Sequence, residues 1–189
     1  TLMSTSGFML MVDSENLIML FIGLEIGSIS LYALAGLNRV DKLSNEASLK
    51  YFLLGSLASC IFIYGVSLVY VSFSVLSVYD FATGVGFVGA DSVPLTTKLG
   101  VILIFIGLLF KIAAAPFQSW APDVYQGSPT GYVGYMASVA KASAFIVIAR
   151  LCQVSLRFMP NEFDSFLLFV VIHVSYTHLR AHATQFDLG

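Results

Sequence analysis

Proline and glycine interrupt this chain where its longest apolar runs would otherwise continue as membrane helices. Residues 111–141 read KIAAAPFQSWAPDVYQGSPTGYVGYMASVAK, with a lysine at each end that lies beside or within an apolar run. The helix-interrupting residues of this segment are Pro116, Pro122, Gly127, Pro129 and Gly131. Proline removes a helical hydrogen bond and glycine weakens a helix, so backbone groups are left unpaired. At membrane depth such a break is tolerated only where protein or a water-filled cavity satisfies those groups.

The composition indicates a membrane protein. Of the 189 residues, 58% are hydrophobic and 11% are charged, and the mean hydropathy is +0.88. Soluble domains carry about 25% charged residues, so this chain has too few for a surface that faces water all round. The net charge of −2 and the lack of a basic run argue against a nucleic-acid-binding surface. No nucleophile–base pair or complete set of metal ligands is evident, so neither an autonomous enzyme nor a metal site is expected.

The apolar runs predict an all-α, polytopic transmembrane helical bundle. A helix that crosses a bilayer needs about 20 predominantly apolar residues. The predicted helices lie at about 1–12, 17–37, 50–71, 99–125, 129–151 and 165–174. The fourth is broken near Pro116, residues 38–49 are expected to form a charged loop, and residues 72–97 a long connection. Gly23 and Gly27 are a small-residue pair that lets a neighbouring helix approach the second helix closely.

Two other patterns are interpreted without a function. The run at 84–89 matches the dinucleotide-binding pattern G-x-G-x-x-G, but that pattern needs a strand–turn–helix unit, which is not expected between two membrane helices. His178 and His182 have the spacing of a helical metal pair, but no third ligand is evident. Both histidines belong to the polar segment 175–189. We expect this segment to be a disordered, non-native tail and exclude it from functional reasoning.

Glu25, Lys111 and Lys141 each lie in an apolar stretch, where charges are costly. A charged residue at the centre of a membrane helix costs about 2.5–3.5 kcal/mol on insertion scales. Burial favours the neutral form of either group, whereas a nearby opposite charge favours both charged forms. A lysine that alternates between a carboxylate partner and isolation therefore changes its proton affinity, as a proton-loading site requires. The pattern predicts an ion path along the broken helices.

Structural alternatives stay open for the same residues. A lysine can extend to the lipid headgroups, and for Lys50, near the start of its predicted helix, this is almost as good an interpretation as function. Glu25 and one lysine can instead form a static ion pair that only positions helices. Asp123 follows Pro122 and is expected to cap the short helix after the break.

Several motifs surround the break. Residues 110–117 read FKIAAAPF, residues 120–130 WAPDVYQGSPT, residues 23–25 GLE and residues 46–51 EASLKY. With Lys141, these motifs resemble the antiporter-like subunit 2, or bacterial subunit N, of respiratory NADH:quinone oxidoreductase, complex I. The run WAPDVYQGSPT is the most specific, because it separates this subunit from its two larger antiporter-like relatives. The resemblance covers about residues 7–151.

The resemblance implies a bundle of two inverted five-helix repeats, each with one broken helix, of which residues 1–174 supply the first as a partial antiporter-like domain. It assigns the proton pathway to Glu25, Lys50, Lys111 and Lys141, and the helix break to Pro116, Pro122, Gly127 and Pro129. Glu25 corresponds to the family's carboxylate and Lys111 to its paired lysine, while Lys141 is the central lysine of the next helix. Gln118 departs from the family, which commonly has histidine at that position.

By the same resemblance, the chain is an enzyme only as part of the proton-translocating NADH:ubiquinone reductase and carries no redox chemistry itself. FMN, iron–sulfur clusters and ubiquinone are expected elsewhere in the complex, with no cofactor on this chain. The expected partners are membrane lipid and other membrane-arm subunits, including a second chain that supplies the missing C-terminal half, and no nucleic acid. The expected location is the mitochondrial inner membrane, as a multi-pass protein, with the bacterial plasma membrane as the alternative.

Three functions are compatible with these observations. The first is a proton-translocating core subunit, or half-subunit, of complex I, and it is preferred because the break motif occurs together with intramembrane charges. The second is a scaffold subunit of the membrane arm that pumps nothing. The third is a subunit of a multisubunit cation/proton antiporter, which uses the same fold without a redox partner.

Overall fold

The structure is a computed structural model that describes residues 1–89, 92–158 and 164–172. Its helices are α1 (Leu2–Asp13), α2 (Leu17–Ala35), α3 (Lys42–Phe73), α4 (Val78–Val88), α5 (Leu95–Lys111), α6 (Trp120–Gly127), α7 (Thr130–Tyr135) and α8 (Lys141–Phe158). A π-helical turn, Met136–Ala140, joins α7 to α8, and residues 164–172 are also helical. Three helical stretches are long and apolar enough to cross a membrane, namely Leu17–Ala35, Lys42–Phe73 and Thr130–Val154. The predicted all-α, polytopic bundle is therefore confirmed.

Glycines bring α1 and α2 into backbone contact. A Cβ atom placed on Gly23 would lie 2.5 Å from the backbone nitrogen of Met11, and one on Gly7 would lie 2.4 Å from the backbone nitrogen of Gly27. The Ser4 hydroxyl donates to the Gly27 carbonyl at 3.1 Å across the same contact. Small residues allow such close packing between membrane helices. The prediction that Gly23 and Gly27 admit a neighbouring helix is confirmed.

The pairing of α3 with α5 also depends on glycines, and it sets the position of the residues that follow α5. A Cβ atom on Gly65 would lie 2.6 Å from the carbonyl oxygen of Gly100, and one on Gly107 would lie 2.7 Å from Cβ of Phe62. Phe62, Phe105 and Leu108 are almost fully buried beside these contacts. The end of α5 is therefore held firmly against α3.

The helix predicted at 50–71 begins earlier, at Lys42, and ends at Phe73. The Asp41 side chain accepts from the Leu43 N–H at 3.0 Å and so caps the first turn. The hydroxyls of Ser44 and Ser48 then donate to the α2 carbonyls of Ala35 and Tyr32, both at 2.7 Å. The charged residues in this stretch suggested a loop, but they lie on the exposed side of a helix whose other side packs on α2.

The segment expected to be a connection contains helix α4. Its N-cap, Ser77, accepts from the Asp80 N–H at 3.2 Å, which is the Ser-x-x-Asp signal that the sequence carries. Most of the G-x-G-x-x-G run at 84–89 lies within α4, so it does not form a phosphate-binding turn.

The helix predicted at 129–151 continues to Phe158, because no proline or glycine follows until Pro160. His178, His182 and the tail at 175–189 lie outside the described residues.

Candidate functional site

The chain leaves its helix at Lys111, five residues before Pro116. Ala113 has φ of +55°, in the left-handed region. The Ala113 N–H donates to the Phe110 carbonyl and the Ala114 N–H to the Leu109 carbonyl, both at 3.0 Å. This pair of hydrogen bonds is the Schellman motif, which closes a helix and satisfies its last carbonyls. The helix is interrupted near Pro116, as predicted, but it ends before the proline, because backbone hydrogen bonds already close it at Ala113 and Ala114.

The remaining break residues surround α6. Pro122 lies in its first turn, where a missing N–H costs nothing. Gly127 ends α6 against α3: a Cβ atom there would lie 2.5 Å from the carbonyl oxygen of Leu43. Pro129 directly precedes α7, as its sequence position indicated. These residues turn the chain back and seat α6 on α3.

Trp120 fills the space inside the break. Its indole N–H donates to the carbonyl of Phe110 at 3.1 Å, so it binds a backbone group near the end of α5. Its ring stacks on Tyr51 of α3, with centroids 4.8 Å apart and planes inclined by 12°. Tyr51 in turn meets Tyr32 of α2 edge-on at 4.7 Å. Trp120, Tyr51 and Tyr32 are all buried, and they connect the break to both neighbouring helices.

Lys111 points from the end of α5 to one face of α2. Its ammonium donates to Ser28 Oγ at 3.0 Å and to Tyr32 Oη at 2.9 Å. The same nitrogen lies 5.5 Å from the centroid of the Tyr32 ring, beyond the ring edge that carries the hydroxyl. The side chain is thus held by two hydroxyls.

Glu25 lies on the same face of α2, one turn before Ser28 and two turns before Tyr32. Its Oε1 accepts a hydrogen bond from Ser59 Oγ of α3. Glu25 and Lys111, both within the described part of the chain, do not approach within the 4.0 Å of an ion pair, so they are not in direct contact. Lys111 is nevertheless close enough to interact electrostatically with the carboxylate. Carboxylate and ammonium therefore share one face, each with its own hydroxyl partner.

Lys50 is in a different environment. Its ammonium lies 2.7 Å from Glu46 Oε1 and 2.7 Å from Asp123 Oδ2. The Lys50 and Asp123 side chains are 42% and 53% exposed, so this is a surface cluster. The expected capping role of Asp123 is wrong, because the first residue of α6 is preceded by Ser119 and no side chain caps it. Asp123 instead links α6 to α3 through Lys50.

This surface link should contribute little to stability. Exposed ion pairs stabilise proteins by about 0–1 kcal/mol. In a double-mutant cycle of Asp123→Asn and Lys50→Met, we expect a coupling of less than about 1 kcal/mol that decreases as salt is raised. Thermal unfolding of the detergent-solubilised complex measures it. If Asp123 capped α6 instead, asparagine would replace it as a cap, so Asp123→Asn would cost little in either background.

Lys141 is the first residue after the π-helical turn and the first of α8. Its ammonium lies 5.5 Å from the centroid of the Tyr125 ring, and Tyr125 meets Trp120 edge-on at 6.2 Å. In the described part of the chain, Tyr125 Oη and Gln118 Oε1 are buried polar atoms without a hydrogen-bond partner. Lys111 and Lys141 therefore each face a tyrosine, and contacting aromatic rings connect the two tyrosines.

Sequence reasoning missed several polar residues. Ser28 and Tyr32 follow Glu25 at helical spacing, so the period of α2 could have revealed them. Nothing in the sequence distinguishes Ser59 from the other serines of α3. Arg150 is a charge in an apolar run, and that signal could have revealed it. It donates to the carbonyls of Val12, at 2.9 Å, and Ser14, and so satisfies the C-terminal end of α1.

Comparison with known proteins identifies the family to which the chain belongs. The family described as NADH:quinone oxidoreductase/Mrp antiporter, TM matches residues 14–184. NADH-quinone oxidoreductase subunit N 1 of Chloroherpeton thalassium is 50% identical over 142 residues, which are 75% of this chain and 29% of that protein. The chain spans about a third of the length of the curated relatives it matches.

Two solved structures share the fold. One is respiratory complex I from Thermus thermophilus with bound aureothin, with a TM-score of 0.66 at 40% identity, covering 76% of this chain and 31% of that one. The other is the membrane-bound sulfane sulfur reductase, an archaeal respiratory membrane complex, with a TM-score of 0.78 at 27% identity, covering 88% of this chain and 33% of that one. The chain belongs to the NADH:quinone oxidoreductase/Mrp antiporter family of membrane subunits, and within it to the subunit N type of complex I.

Proposed function

We propose that this chain is a proton-translocating part of the membrane arm of an NADH:quinone oxidoreductase. The observation that carries the proposal is the position of Lys111, which ends a broken membrane helix and faces Glu25 and buried hydroxyls on α2. From the end of α5, the Lys111 ammonium reaches the hydroxyls of Ser28 and Tyr32 on the neighbouring helix α2. Intramembrane ionisable residues of this kind mark ion paths.

In the proposed mechanism, Lys111 takes up and releases a proton as its surroundings change. When its ammonium approaches Glu25, the opposite charge favours the protonated lysine. When the two separate, the lysine gives its proton more readily to the path that continues towards Lys141. Lys50, whose ammonium is held by the carboxylates of Glu46 and Asp123, would exchange protons with this path. Electron transfer elsewhere in the complex would drive the cycle through electrostatic coupling.

The relatives support this assignment and bear on the location. Curated matches are named NADH-quinone oxidoreductase subunit N, and they come from bacteria. They do not support the mitochondrial inner membrane, so we propose the bacterial plasma membrane, with other membrane-arm subunits as partners. Because the chain spans about a third of those relatives, the activity, substrates and partners of the whole protein are part of the proposal.

A cation/proton antiporter subunit is the second candidate, because the matching family includes Mrp antiporters. It is less well supported, since the curated relatives carry the subunit N name. A non-pumping scaffold is the third candidate. Buried charges that served only to hold helices would be expected in direct contact, whereas Glu25 and Lys111 have separate partners.

Exchange of Glu25 for glutamine tests the proposal. The variant keeps the size of the side chain and an oxygen that can accept from Ser59, but removes the negative charge near Lys111. We expect quinone reduction to continue while fewer protons are moved per quinone reduced. The measurement is NADH-driven proton uptake by vesicles that contain the whole complex. An unchanged proton-to-quinone ratio would favour the scaffold interpretation.

A further inference from the structure

We propose that Ser28 and Tyr32 form a docking site for the Lys111 ammonium in the state in which it is separated from Glu25. The site would make the two hydroxyls positioning residues of the proton-loading lysine. The inference rests on the proposed function and adds to it: the lysine exchanges one specific set of partners for another, and it does not move between a carboxylate and an unstructured environment.

The geometry of the contacts carries the proposal. Lys111 Nζ lies 3.0 Å from Ser28 Oγ and 2.9 Å from Tyr32 Oη, both within normal hydrogen-bond range. Ser28 is 2% exposed and Tyr32 is 5% exposed, so water does not readily replace either acceptor. An ammonium has three donors and no acceptor, and two of the donors are used here.

The surroundings hold the Tyr32 hydroxyl in place. The ring passes over Gly55 of α3, where a Cβ atom would lie 2.2 Å from the hydroxyl oxygen. Tyr51 packs edge-on against one side at 4.7 Å, and the Tyr32 backbone carbonyl accepts from Ser48 Oγ at 2.7 Å. Because a glycine and an aromatic neighbour define its position, the hydroxyl is presented to Lys111 without further reorganisation.

Glu25 has a matching partner of its own. Ser59 Oγ donates to Glu25 Oε1 and also lies 3.0 Å from the Gly55 carbonyl. Both members of the charge pair are thus stabilised while apart, which lowers the cost of separating them. Since Ser28 is one helical turn from Glu25, the flexible lysine side chain can change partners along α2 without moving its backbone.

The titratable groups around the site are few. From α2, Glu25 and Tyr32 face the ammonium, and from α3, Tyr51 reaches it only through Tyr32. Residues 112–119, which follow Lys111, contain no ionisable side chain. In α8, which also packs on α5, the Lys141 ammonium faces Tyr125 and the Arg150 guanidinium is bound to α1 carbonyls. The state of Lys111 therefore depends mainly on Glu25 and on the two hydroxyls.

The test compares Tyr32→Phe, Ser28→Ala and the double variant, each in the whole complex. Tyr32→Phe keeps the ring and removes one oxygen. Tyr64→Phe is the matched control, because Tyr64 lies on α3 with 60% of its surface exposed. We expect the alkaline limb of the pH profile of proton pumping to move to lower pH by about one unit in Tyr32→Phe, since the ammonium loses an acceptor. Ser28→Ala should produce a smaller shift in the same direction, and the double variant a larger one.

A second readout does not depend on pumping. An amine-reactive, membrane-permeant reagent modifies only the neutral lysine, and mass spectrometry measures the extent at Lys111. A shift of about one pH unit corresponds to a labelling rate about tenfold higher in Tyr32→Phe than in Tyr64→Phe at the same pH. Labelling and pH profiles that match the control in all three variants would overturn the docking site. If Tyr32→Phe fails to assemble, the labelling of Lys111 and the pH profile of pumping in Ser28→Ala decide, again compared with Tyr64→Phe.

The two proposals fail in different ways. If Glu25→Gln lowers the proton-to-quinone ratio but Tyr32→Phe and Ser28→Ala change neither labelling nor pH profile, only the docking site is wrong. If the ratio is unaffected in Glu25→Gln while labelling of Lys111 rises in Tyr32→Phe, the docking contacts are real and the pumping function is wrong.

Discussion

Replacing Lys111 with methionine is expected to abolish proton translocation through this chain while the complex still assembles. Methionine keeps a flexible, apolar stem of similar length, so the packing at the end of α5 is retained. It removes the ammonium that donates to Ser28 and Tyr32 and faces Glu25. No other ionisable group lies between Lys111 and Trp120 in the sequence, so none can replace it there. Proton uptake per quinone reduced, in vesicles with the whole complex, is the measurement.

The matched control for this variant is Lys42→Met. Lys42 opens α3, is exposed and lies outside the polar cluster on α2, so the same chemical change there should leave the ratio unaltered. A Lys111→Met complex that pumps with the ratio of the control would remove Lys111 from the pathway. Loss of assembly in Lys111→Met but not in Lys42→Met would instead indicate a structural lysine.

Truncation of Trp120 to alanine is expected to lower the free energy of unfolding by about 3–5 kcal/mol. We expect this to be the largest loss of stability among the residues in and around the helix break. The side chain is 3% exposed and contacts the rings of Tyr51, Phe110 and Tyr125. Its removal leaves a cavity between α3, α5 and α6, and it also frees the Phe110 carbonyl from the indole N–H. Thermal unfolding of the detergent-solubilised complex, followed by resistance to proteolysis near residues 112–119, measures the effect.

A conservative variant at position 120 separates packing from hydrogen bonding, and an exposed phenylalanine provides the control. Trp120→Phe keeps an aromatic ring but loses the indole donor, so we expect a smaller loss of about 1–2 kcal/mol. Phe87→Ala is the exposed control, because Phe87 is 92% exposed and its truncation should change little. A Trp120→Ala complex as stable as the Phe87→Ala complex would show that the break is held by its backbone turns alone.

The break shows where sequence reasoning reaches its limit. The motif at 111–130 located the interruption correctly, because proline and glycine are incompatible with a continuous helix. The residue at which α5 ends, Lys111, does not follow from the position of Pro116. The stop occurs at Ala113, a residue that ordinarily favours helix, in a left-handed conformation. Alanine takes that conformation only because hydrogen bonds and the packing of Trp120 compensate for its cost, and neither can be read from local sequence.

For the charged residues too, the sequence located the groups and the structure showed their partners. The cost of placing charges in apolar helices singled out Glu25, Lys111 and Lys141, and the structure gives the first two hydroxyl partners: Ser59 of α3 for Glu25, and Ser28 and Tyr32 of α2 for Lys111. The free-energy cost of a charge in an apolar helix did not predict which uncharged groups the charges bind, because Ser28, Tyr32 and Ser59 are common residues of such helices. For Asp123, helix position suggested a cap, but a lysine from α3 competes for its carboxylate.

By itself, the sequence determined that the chain forms apolar helices, where they are interrupted and which residue types carry charge into them. These properties follow from composition and from the local demands of the backbone. The tertiary structure decided which hydroxyl each charge binds, where α3 and α4 begin, and which rings fill the break. Those outcomes depend on distances between helices, which are set by close glycine contacts such as Gly23 with Met11 and Gly65 with Gly100.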